Sequence, residues 1–363
     1  MKRIAKKQKW GPLLAILLLS CLIGLAAADN YVGGQPLTTV GSGTVSGGLY
    51  VDDEIPGTFV KDLTKTFTPI PDTSDIQWAR LYITIYSMSM TDARVVDVTT
   101  YFDEDNDGSW DDTWDEYAYT TFNYIGEGSG NDNTAWGGGS NDPYLIVNDH
   151  MNRVTSDYLI WYDVTGKIAS STPTVRVDGS ASDDGRIKMI TLIVAYNDGD
   201  SDEVRYWVNQ GHDADSHFSD ENLGEDYVGS TTFSLAGISG TVESATLRVN
   251  HLASSDGIYT WNGVSILTDP PAQWQGSYSG GNTWDITVNP GSSNILTYDR
   301  TGSFYKIPLA TLEVRMEGEP PVADFTADVT SGDTPLTVQF TDLSTNTPTS
   351  WAWAIEAVSY THL

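Results

Sequence analysis

An acidic loop contains the residues whose types and spacing are best suited to chemistry. It runs from Asp103 to Asp112 as Asp-Glu-Asp-Asn-Asp-Gly-Ser-Trp-Asp-Asp, with glycine at the sixth position. Carboxylates occupy the first, third, fifth and ninth positions, which are Asp103, Asp105, Asp107 and Asp111. Because calcium prefers oxygen ligands and the glycine permits a sharp turn, this spacing predicts a calcium loop. The alternative is an acidic hairpin turn whose charges face solvent.

The loop differs from an EF-hand in two respects. Its twelfth position is Trp114, where an EF-hand has a bidentate glutamate, so Asp115 or Glu116 would have to complete the ligand set. The preceding segment, Val95 to Phe102, has the composition of a strand and not of a helix. We therefore expect a calcium site in a β-hairpin, with the weak affinity that is typical of extracellular calcium modules.

A second acidic segment offers another candidate set of metal ligands. In an extended chain alternate residues share a face, so Asp213, Asp215 and His217 would lie together and could bind a divalent metal. No spacing in this segment is diagnostic of a metal site. The alternative, which the sequence favours, is a solvated linker with incidental histidines.

One short stretch combines several acid–base groups. Asn148, Asp149 and His150 are consecutive, and Arg153 follows closely. No nucleophile motif or paired-glutamate signature accompanies them, and the whole chain has only 5 histidines. We therefore predict that the protein is not an enzyme.

Aromatic residues are abundant, with 12 Trp and 19 Tyr. Several lie in glycine-rich loops, where exposed rings could stack on the apolar faces of sugars. The candidate glycan-binding residues are Trp110, Trp114, Trp136, Trp261 and Trp274. The alternative is that these rings pin long loops onto the protein core.

The first 28 residues have the features of an export signal. Five basic residues precede an apolar stretch from Leu13 to Leu25, and Ala26 to Ala28 form a small-residue cleavage site. The single cysteine, Cys21, lies in this signal, so we expect no disulfide in the mature chain.

The mature chain is strongly acidic. Five of the 19 basic residues are lost on cleavage, which leaves 14 against 49 acidic residues and a formal charge of −35. This charge excludes nucleic acid and anionic membranes as partners and predicts a secreted or cell-surface protein without membrane insertion in its mature segment.

Short runs of Val, Ile, Leu and Tyr alternate with Gly, Asp and Asn, which indicates an all-β protein. The longest apolar run, 185–198, predicts a central strand buried on both faces, and 305–315 repeats its pattern with Lys306 in the place of Lys188. Four further pairs of segments match in the same order: 31–33 with 227–229, 43–45 with 240–242, 79–83 with 245–249, and 162–165 with 284–287. The repeats predict two related antiparallel β-sandwiches of jelly-roll type.

These patterns divide the chain into seven segments. They are a signal peptide (1–28), a first sandwich with inserted loops (29–198), an acidic bridge (199–226), a second sandwich (227–316), a linker (317–321), a partial third module (322–357) and a C-terminal tail (358–363). Most of the extra length of the first sandwich lies between Met88 and Tyr158.

The third module has a recognisable pattern. Pro321 to Ala327, Gly332 to Asp342 and Ser350 to Trp353 resemble the opening half of a PKD (polycystic kidney disease) domain. The resemblance implies a truncated immunoglobulin-like sandwich of the kind used as a spacer or adhesion module in extracellular proteins. The tail, Val-Ser-Tyr-Thr-His-Leu, matches a translated sequencing adapter. We expect the tail to be an assembly artefact and the natural chain to continue.

The region 31–316 also resembles a family of uncharacterised proteins. The likeness lies in Gly41 to Tyr50, Trp78 to Tyr82, Val147 to His150 and Tyr206 to Asp213. That family occurs mainly in exported proteins of methanogenic archaea, often beside PKD domains. The resemblance implies a cell-surface context and supplies no catalytic residues.

The combined prediction is a non-catalytic exported cell-surface protein with a structural or adhesive role. Calcium is the expected cofactor, and cell-envelope components or glycans are the expected partners. A carbohydrate-binding protein that acts through its loop aromatics is the alternative, and a polysaccharide hydrolase is the third interpretation.

Overall fold

The computed structural model describes most of the chain between residues 35 and 354. The described ranges are 35–56, 58–87, 94–120, 144–154, 156–215, 228–252, 257–266, 280–300, 305–318, 322–346, 348 and 350–354. All the regular elements in these ranges are β-strands, and the strands pair antiparallel. The prediction of an all-β fold is therefore confirmed.

The first sandwich is built from strands in the N-terminal half of the chain. The strands of this half are β1 (Gln35–Val45), β2 (Gly48–Glu54), β3 (Asp62–Thr66), β4 (Asp75–Tyr86), β5 (Arg94–Asp103), β6 (Asp112–Thr120), β7 (Tyr144–Asn148), β8 (Met151–Val154), β9 (Asp157–Asp163), β10 (Thr174–Asp178) and β11 (Arg186–Asn197). A six-stranded sheet, the first inner sheet, has the order β2-β11-β4-β9-β8-β7, and the first outer sheet has the order β3-β10-β5-β6. Apolar side chains of both sheets, among them Leu81, Val98 and Leu192, form one core.

The second sandwich follows the same plan. Its strands are β12 (Val204–Asp215), β13 (Gly229–Ser234), β14 (Val242–Leu252), β15 (Gly257–Trp261), β16 (Val264–Ser265), β17 (Gly280–Asp285), β18 (Ser293–Arg300) and β19 (Tyr305–Met316). The second inner sheet has the order β1-β12-β19-β14-β17, and the second outer sheet has the order β13-β18-β15-β16. Phe233, Leu247 and Leu312 contribute to the core between these two sheets.

The strand orders show that the two sandwiches share one topology. β2-β11-β4-β9 corresponds to β12-β19-β14-β17, and β3-β10-β5-β6 corresponds to β13-β18-β15-β16. Even single hydrogen bonds recur, because the Val164 amide donates to the Ala79 carbonyl at 3.1 Å and the Ile286 amide donates to the Ala245 carbonyl at 2.9 Å. β1 and the hairpin β7–β8 have no counterpart among the described strands and are additions to the common plan.

A third core lies between the two inner sheets. Tyr82, Met189 and Ile193 of the first inner sheet share it with Tyr206, Val208 and Leu309 of the second. We call this the middle core. It makes β11 a strand with two apolar faces, as predicted, since Leu192 enters the first core and Ile193 enters the middle core. The described region from 35 to 316 is thus a stack of four sheets.

The structure differs from the predicted segment boundaries in two places. The acidic bridge contains β12, a strand between β1 and β19 in the second inner sheet. Val204 and Val208 of β12 are buried in the middle core, so this segment forms part of the scaffold despite its acidic flanks. β1, assigned to the first sandwich, pairs with β12 of the second, so 43–45 and 240–242 are not equivalent positions.

The C-terminal segment forms a small separate sheet. β20 (Phe325–Ala327) pairs with β21 (Phe340–Asp342), and Val322 forms an isolated bridge with Thr345. Phe325 and Phe340 contact Trp353 at ring-centroid distances of 5.3 and 5.4 Å. All three residues are at least 39% exposed. The PKD assignment stays a prediction.

Candidate functional site

The acidic loop is the connection between β5 and β6. Asp103 ends β5 and Asp112 begins β6, so the loop is the turn of a hairpin in the first outer sheet. Asn106 and Gly108 adopt positive φ angles of 60° and 90°, which bend the chain back on itself. The Asn106 side chain fixes the bend, since it donates to the Thr172 hydroxyl at 3.2 Å and accepts from the Thr174 hydroxyl at 3.1 Å.

Three of the four predicted calcium ligands lie together. Carboxylate oxygens of Asp103, Asp105 and Asp111 are all within 4.8 Å of one another. Asp103 is 2% exposed and accepts hydrogen bonds from the amides of Asp107 at 3.2 Å and Gly108 at 2.9 Å. The carboxylate of Asp107 is not in this group and accepts from the Ser109 amide at 2.8 Å. The residues could hold a hard cation through three carboxylates.

The neighbouring lysine pairs with other acids of the hairpin. Lys167 Nζ lies 2.7 Å from Asp112 and 3.4 Å from Glu104. Hydrogen bonds to Asp112 outweigh the partial burial of the ammonium group and raise the pKa of Lys167. In the described part of the chain, the ion pairs around this loop therefore neutralise its flanks and not the three clustered aspartates.

A second cluster, centred on His150, joins the two sheets of the first sandwich. His150 lies in the turn between β7 and β8, and its Nε2 is 2.5 Å from Glu116 Oε1 on β6. Its Nδ1 is 2.5 Å from Asp149 Oδ1, and Glu116 also accepts from Asn148 at 3.2 Å and from the Tyr162 hydroxyl at 3.3 Å. The sequence suggested Glu116 only as a calcium ligand, with Asp115, and neither belongs to the aspartate cluster. The contact between Glu116 and His150 was not predicted because the two residues are 34 positions apart along the chain.

The geometry of this cluster favours a structural role, in which hydrogen bonds of His150 join β6 to the β7–β8 hairpin, and we call this connection the clasp. Partial burial disfavours the charged imidazole, but the bonds to Asp149 and Glu116 outweigh burial and raise the pKa of His150. Both ring nitrogens are then occupied by carboxylates. Arg153, the other predicted acid–base residue, is fully buried and donates to the carbonyl and hydroxyl of Thr120 at 3.0 and 2.8 Å. Both side chains therefore have structural contacts.

The second predicted metal set is only partly described. Asp213 is buried, and its Oδ2 accepts from the Tyr298 hydroxyl of the second outer sheet at 2.5 Å. The side chain of Asp215 and the whole of His217 lie outside the described residues. The neighbouring His212 is fully buried, and burial lowers its pKa to about 4.

Charged residues are buried between the two inner sheets as well. Lys306 on β19 donates to Asp157 on β9 and, at 3.1 Å, to the Ser156 hydroxyl. Burial by itself raises the pKa of Asp157, but Lys306, Lys188 and His212 outweigh it and lower the pKa. Burial also lowers the pKa of Lys188. The repeated lysines that the sequence paired thus surround one buried carboxylate at the junction of the two sandwiches.

The predicted loop aromatics have unequal surroundings. Trp110 is 40% exposed and lies 5.6 Å from the Tyr101 ring. Trp114 stacks on Tyr162 at 4.4 Å and packs against the first core. Trp261 is only 4% exposed, and its Nε1 donates to the Thr287 carbonyl at 2.8 Å. The glycan-stacking interpretation is therefore corrected for Trp261, whose ring is buried. The half-buried Trp114 has one ring face covered by Tyr162, and Trp136 and Trp274 lie outside the described residues.

Two tyrosines on β6 are the most exposed aromatic residues of the outer sheets. Tyr117 is 66% exposed and Tyr119 is 64% exposed, both on the outer face of the first outer sheet. Sequence reasoning missed them because aromatic or polar residues occupy both faces of β6. The inward face carries Trp114, Glu116, Ala118 and Thr120, a mixed set that has no apolar pattern to identify it in the sequence.

Fold and sites together define an all-β protein made of two sandwiches with one topology, an acidic hairpin on the first and a buried ionic junction between them. The chain belongs to a family of proteins of unknown function, DUF3344, whose sequence profile matches residues 30–315. No curated protein matches the chain.

Two solved structures show distant similarity to the chain. One is a beta-porphyranase of glycoside hydrolase family 86 from the human gut bacterium Bacteroides plebeius, with 13% identity and a TM-score of 0.24, covering 69% of this chain and 38% of that enzyme. Another is a protein from Parabacteroides distasonis described as secreted, with 10% identity and a TM-score of 0.21, covering 78% of this chain and 100% of the other. Scores this low carry no functional argument. Among the described residues no helix is long and apolar enough to cross a membrane.

Proposed function

We propose that the protein is a non-catalytic, exported cell-surface component with a structural or adhesive role. The observation that carries this proposal is the middle core, which joins two sandwiches into one stack of four sheets. Close-packed interiors resist deformation. Such a stack holds two outer sheets at a fixed separation and leaves their outer faces to contact partners.

Polar contacts across the middle core support a rigid connection. Glu313 on β19 accepts from the Leu49 amide on β2 at 2.7 Å. Arg80 on β4 donates to Gln210 on β12 at 2.8 Å. Asn250 on β14 donates to Asp53 on β2 at 3.0 Å and to Thr191 on β11 at 3.3 Å. These bonds link four pairs of strands in different sandwiches, and hydrogen bonds fix geometry that apolar packing alone leaves adjustable.

Sequence features support the surface context. The export signal and the formal charge of −35 after its removal suit a protein that stays soluble outside the cell. The resemblance of 322–357 to a PKD module supports a spacer or adhesion role in the same setting. An archaeal cell envelope is the setting that we propose for the protein.

Cell fractionation and a binding assay test this proposal. We expect the native protein in the envelope or extracellular fraction, and we expect beads coated with the full chain to retain envelope fragments. Incubation with envelope polysaccharides should release no new reducing ends. A cytosolic location would contradict the surface role, and new reducing ends would show that the protein is a hydrolase.

We also propose that calcium stabilises the first sandwich at Asp103, Asp105 and Asp111. Their clustering supports this, because three carboxylates held within 4.8 Å repel one another and a divalent cation relieves that repulsion. Two amides already orient Asp103, so a cation would meet a largely preformed site.

Calorimetry with the variants Asp103→Asn and Asp107→Asn tests the calcium site. Saturating calcium should raise the Tm of the full chain, since a ligand at about ten times its Kd stabilises the folded state by ~1.4 kcal/mol. Asp103→Asn should abolish this rise and, in chelator, should lower the Tm, because one of the two backbone amides that donate to Asp103 then faces an NH2 group. Asp107→Asn is the matched control, because its carboxylate lies outside the cluster. The absence of binding heat, or an equal loss in both variants, would contradict the site.

A further inference from the structure

We infer that the outer face of β6 is a binding site for a neutral glycan. The inference rests on the proposed surface role and deepens it, because it names the binding surface and the chemical class of the ligand. The site consists of Tyr117 and Tyr119 together with Asp97, Thr99 and Asp115, which lie beside them on the same face.

The alternation of side chains along β6 places the two tyrosines next to each other on the outer face of the sheet. Trp114, Glu116 and Ala118 face the first core, so Tyr117 and Tyr119 face outward. Residues two apart on a strand are separated by about 7 Å, and their side chains stand on one side of the sheet. The pair therefore forms a short aromatic strip along the edge of the first outer sheet, since β6 is the last strand of that sheet.

Hydrogen-bonding groups lie immediately next to the strip. Asp97 on β5 is directly opposite Tyr117, and Thr99 is opposite Asp115. The Thr99 hydroxyl donates to Asp115 at 2.7 Å, which orients that carboxylate on the surface. Further along the same face, Tyr101 contacts Trp110. The face from Tyr119 to Thr113 is about 20 Å long, given a rise of roughly 3.3 Å per residue.

This combination of groups suits a sugar better than a protein partner. Sugar rings have apolar C–H faces that stack on aromatic rings, and their hydroxyls donate hydrogen bonds to carboxylates. An apolar protein surface would bury the carboxylates of Asp97 and Asp115 and offer no donor beyond the Thr99 hydroxyl that already bonds to Asp115, which is unfavourable. A polyanionic glycan is disfavoured by the formal charge of −35 of the mature chain. A neutral glycan can stack on the two tyrosine rings, donates hydrogen bonds to the carboxylates and is not repelled by the negative charge of the chain.

Comparison of the two sandwiches shows that the strip is an addition to the shared plan. The counterpart of β6 in the second sandwich is β16, which contains only Val264 and Ser265. The first copy instead extends this edge to nine residues, from Asp112 to Thr120. Among the described residues of the second sandwich, no aromatic residue takes the place of Tyr117 or Tyr119 on the strand that corresponds to β6.

Binding of neutral gluco-, manno- and galacto-oligosaccharides to the full chain tests the inference. We expect saturable binding to members of one of these series, measured by glycan array and titration calorimetry. Tyr117→Ala and Tyr119→Ala should each weaken binding about tenfold, and Tyr→Phe at either position should keep it within about twofold because the ring face remains. Phe59→Ala is the matched control, because Phe59 is an aromatic residue with 80% exposure on a different segment.

Three results would overturn the inference. They are no binding to any neutral oligosaccharide, binding that survives both alanine variants, and loss of binding that Phe59→Ala reproduces. Retention of envelope fragments that falls steeply with salt would instead identify a basic protein as the partner. In that case the proposed surface role would stand and only the glycan site would fail.

Discussion

His150 is bonded to a carboxylate at each ring nitrogen, and this arrangement makes its contribution to stability depend on pH. The raised pKa means that the folded protein holds the imidazole proton more tightly than the unfolded chain does. The stabilisation is therefore fully present below the unfolded pKa of about 6.5 and is lost as the pH rises through the higher folded value. The clasp between β6 and the β7–β8 hairpin should be tighter in mild acid.

Glu116→Gln should remove most of this pH dependence. Glu116 has an 8% exposed side chain, whereas the other partner, Asp149, is 92% exposed. We expect a loss of about 1 kcal/mol in unfolding free energy at about pH 6 and a smaller loss at about pH 9, a modest figure because His150 itself is partly solvated. Urea unfolding at both pH values measures this, with an NMR titration of His150 alongside.

Asp149→Asn is the control for the Glu116 variant. Solvent screens the Asp149 contact, so its replacement should change stability by only a few tenths of a kcal/mol. A larger effect for Asp149→Asn than for Glu116→Gln, or an equal effect of Glu116→Gln at both pH values, would contradict the clasp.

Individual strands differ in how far their sequences reveal their position. The apolar run of β11 predicts its burial, because both of its faces contact cores and few alternatives exist for such a run. The match between Lys188 and Lys306 correctly aligns β11 with β19, which occupy equivalent places in the two inner sheets. These strands could be predicted because burial on both faces leaves little freedom in composition.

Other strands could not be placed from local sequence. β12 has acidic residues before it and polar residues such as Arg205 and Asn209 within it, so it looks like a linker until β1 and β19 are known to flank it. β6 offers Trp114 and Glu116 on one face and Tyr117 and Tyr119 on the other. Only its pairing with β5, whose Val96 and Val98 are buried, selects the inward face.

The candidate sites also divide into contacts that local sequence predicts and contacts that it cannot predict. Asp103, Asp105 and Asp111 are close in sequence, so their spacing alone was enough to predict that their carboxylates lie together. Asp107 stands in the same motif but bonds to the Ser109 amide, because local turn geometry turns it away from the others. The contact between His150 and Glu116 depends on two sheets meeting across a core, which no spacing along the chain encodes.

At the scale of the whole molecule, the buried ion pair of Lys306 and Asp157 links the stability of one sandwich to that of the other. Asp157 belongs to the first inner sheet and Lys306 to the second, and their side chains are only 2% and 7% exposed. A charge left without its partner in such a place destabilises a protein by about 3–5 kcal/mol, whereas replacing both partners with neutral groups can be close to neutral. The junction should therefore make both sandwiches unfold as one unit.

Asp157→Asn tests this coupling in the full chain. We expect a loss of about 3 kcal/mol or more, and hydrogen exchange should accelerate equally in β5 of the first outer sheet and β18 of the second, neither of which contains the altered residue. The double variant Asp157→Asn with Lys306→Met should recover part of the loss, because it removes the buried Lys306 charge, while the partly buried Lys188 keeps its contact with the Tyr86 ring. Asp62→Asn, which breaks the exposed pair with Arg176, should cost no more than about 1 kcal/mol. Faster exchange confined to β5, or two separate unfolding transitions in the unaltered chain, would show that the middle core does not unite the sandwiches.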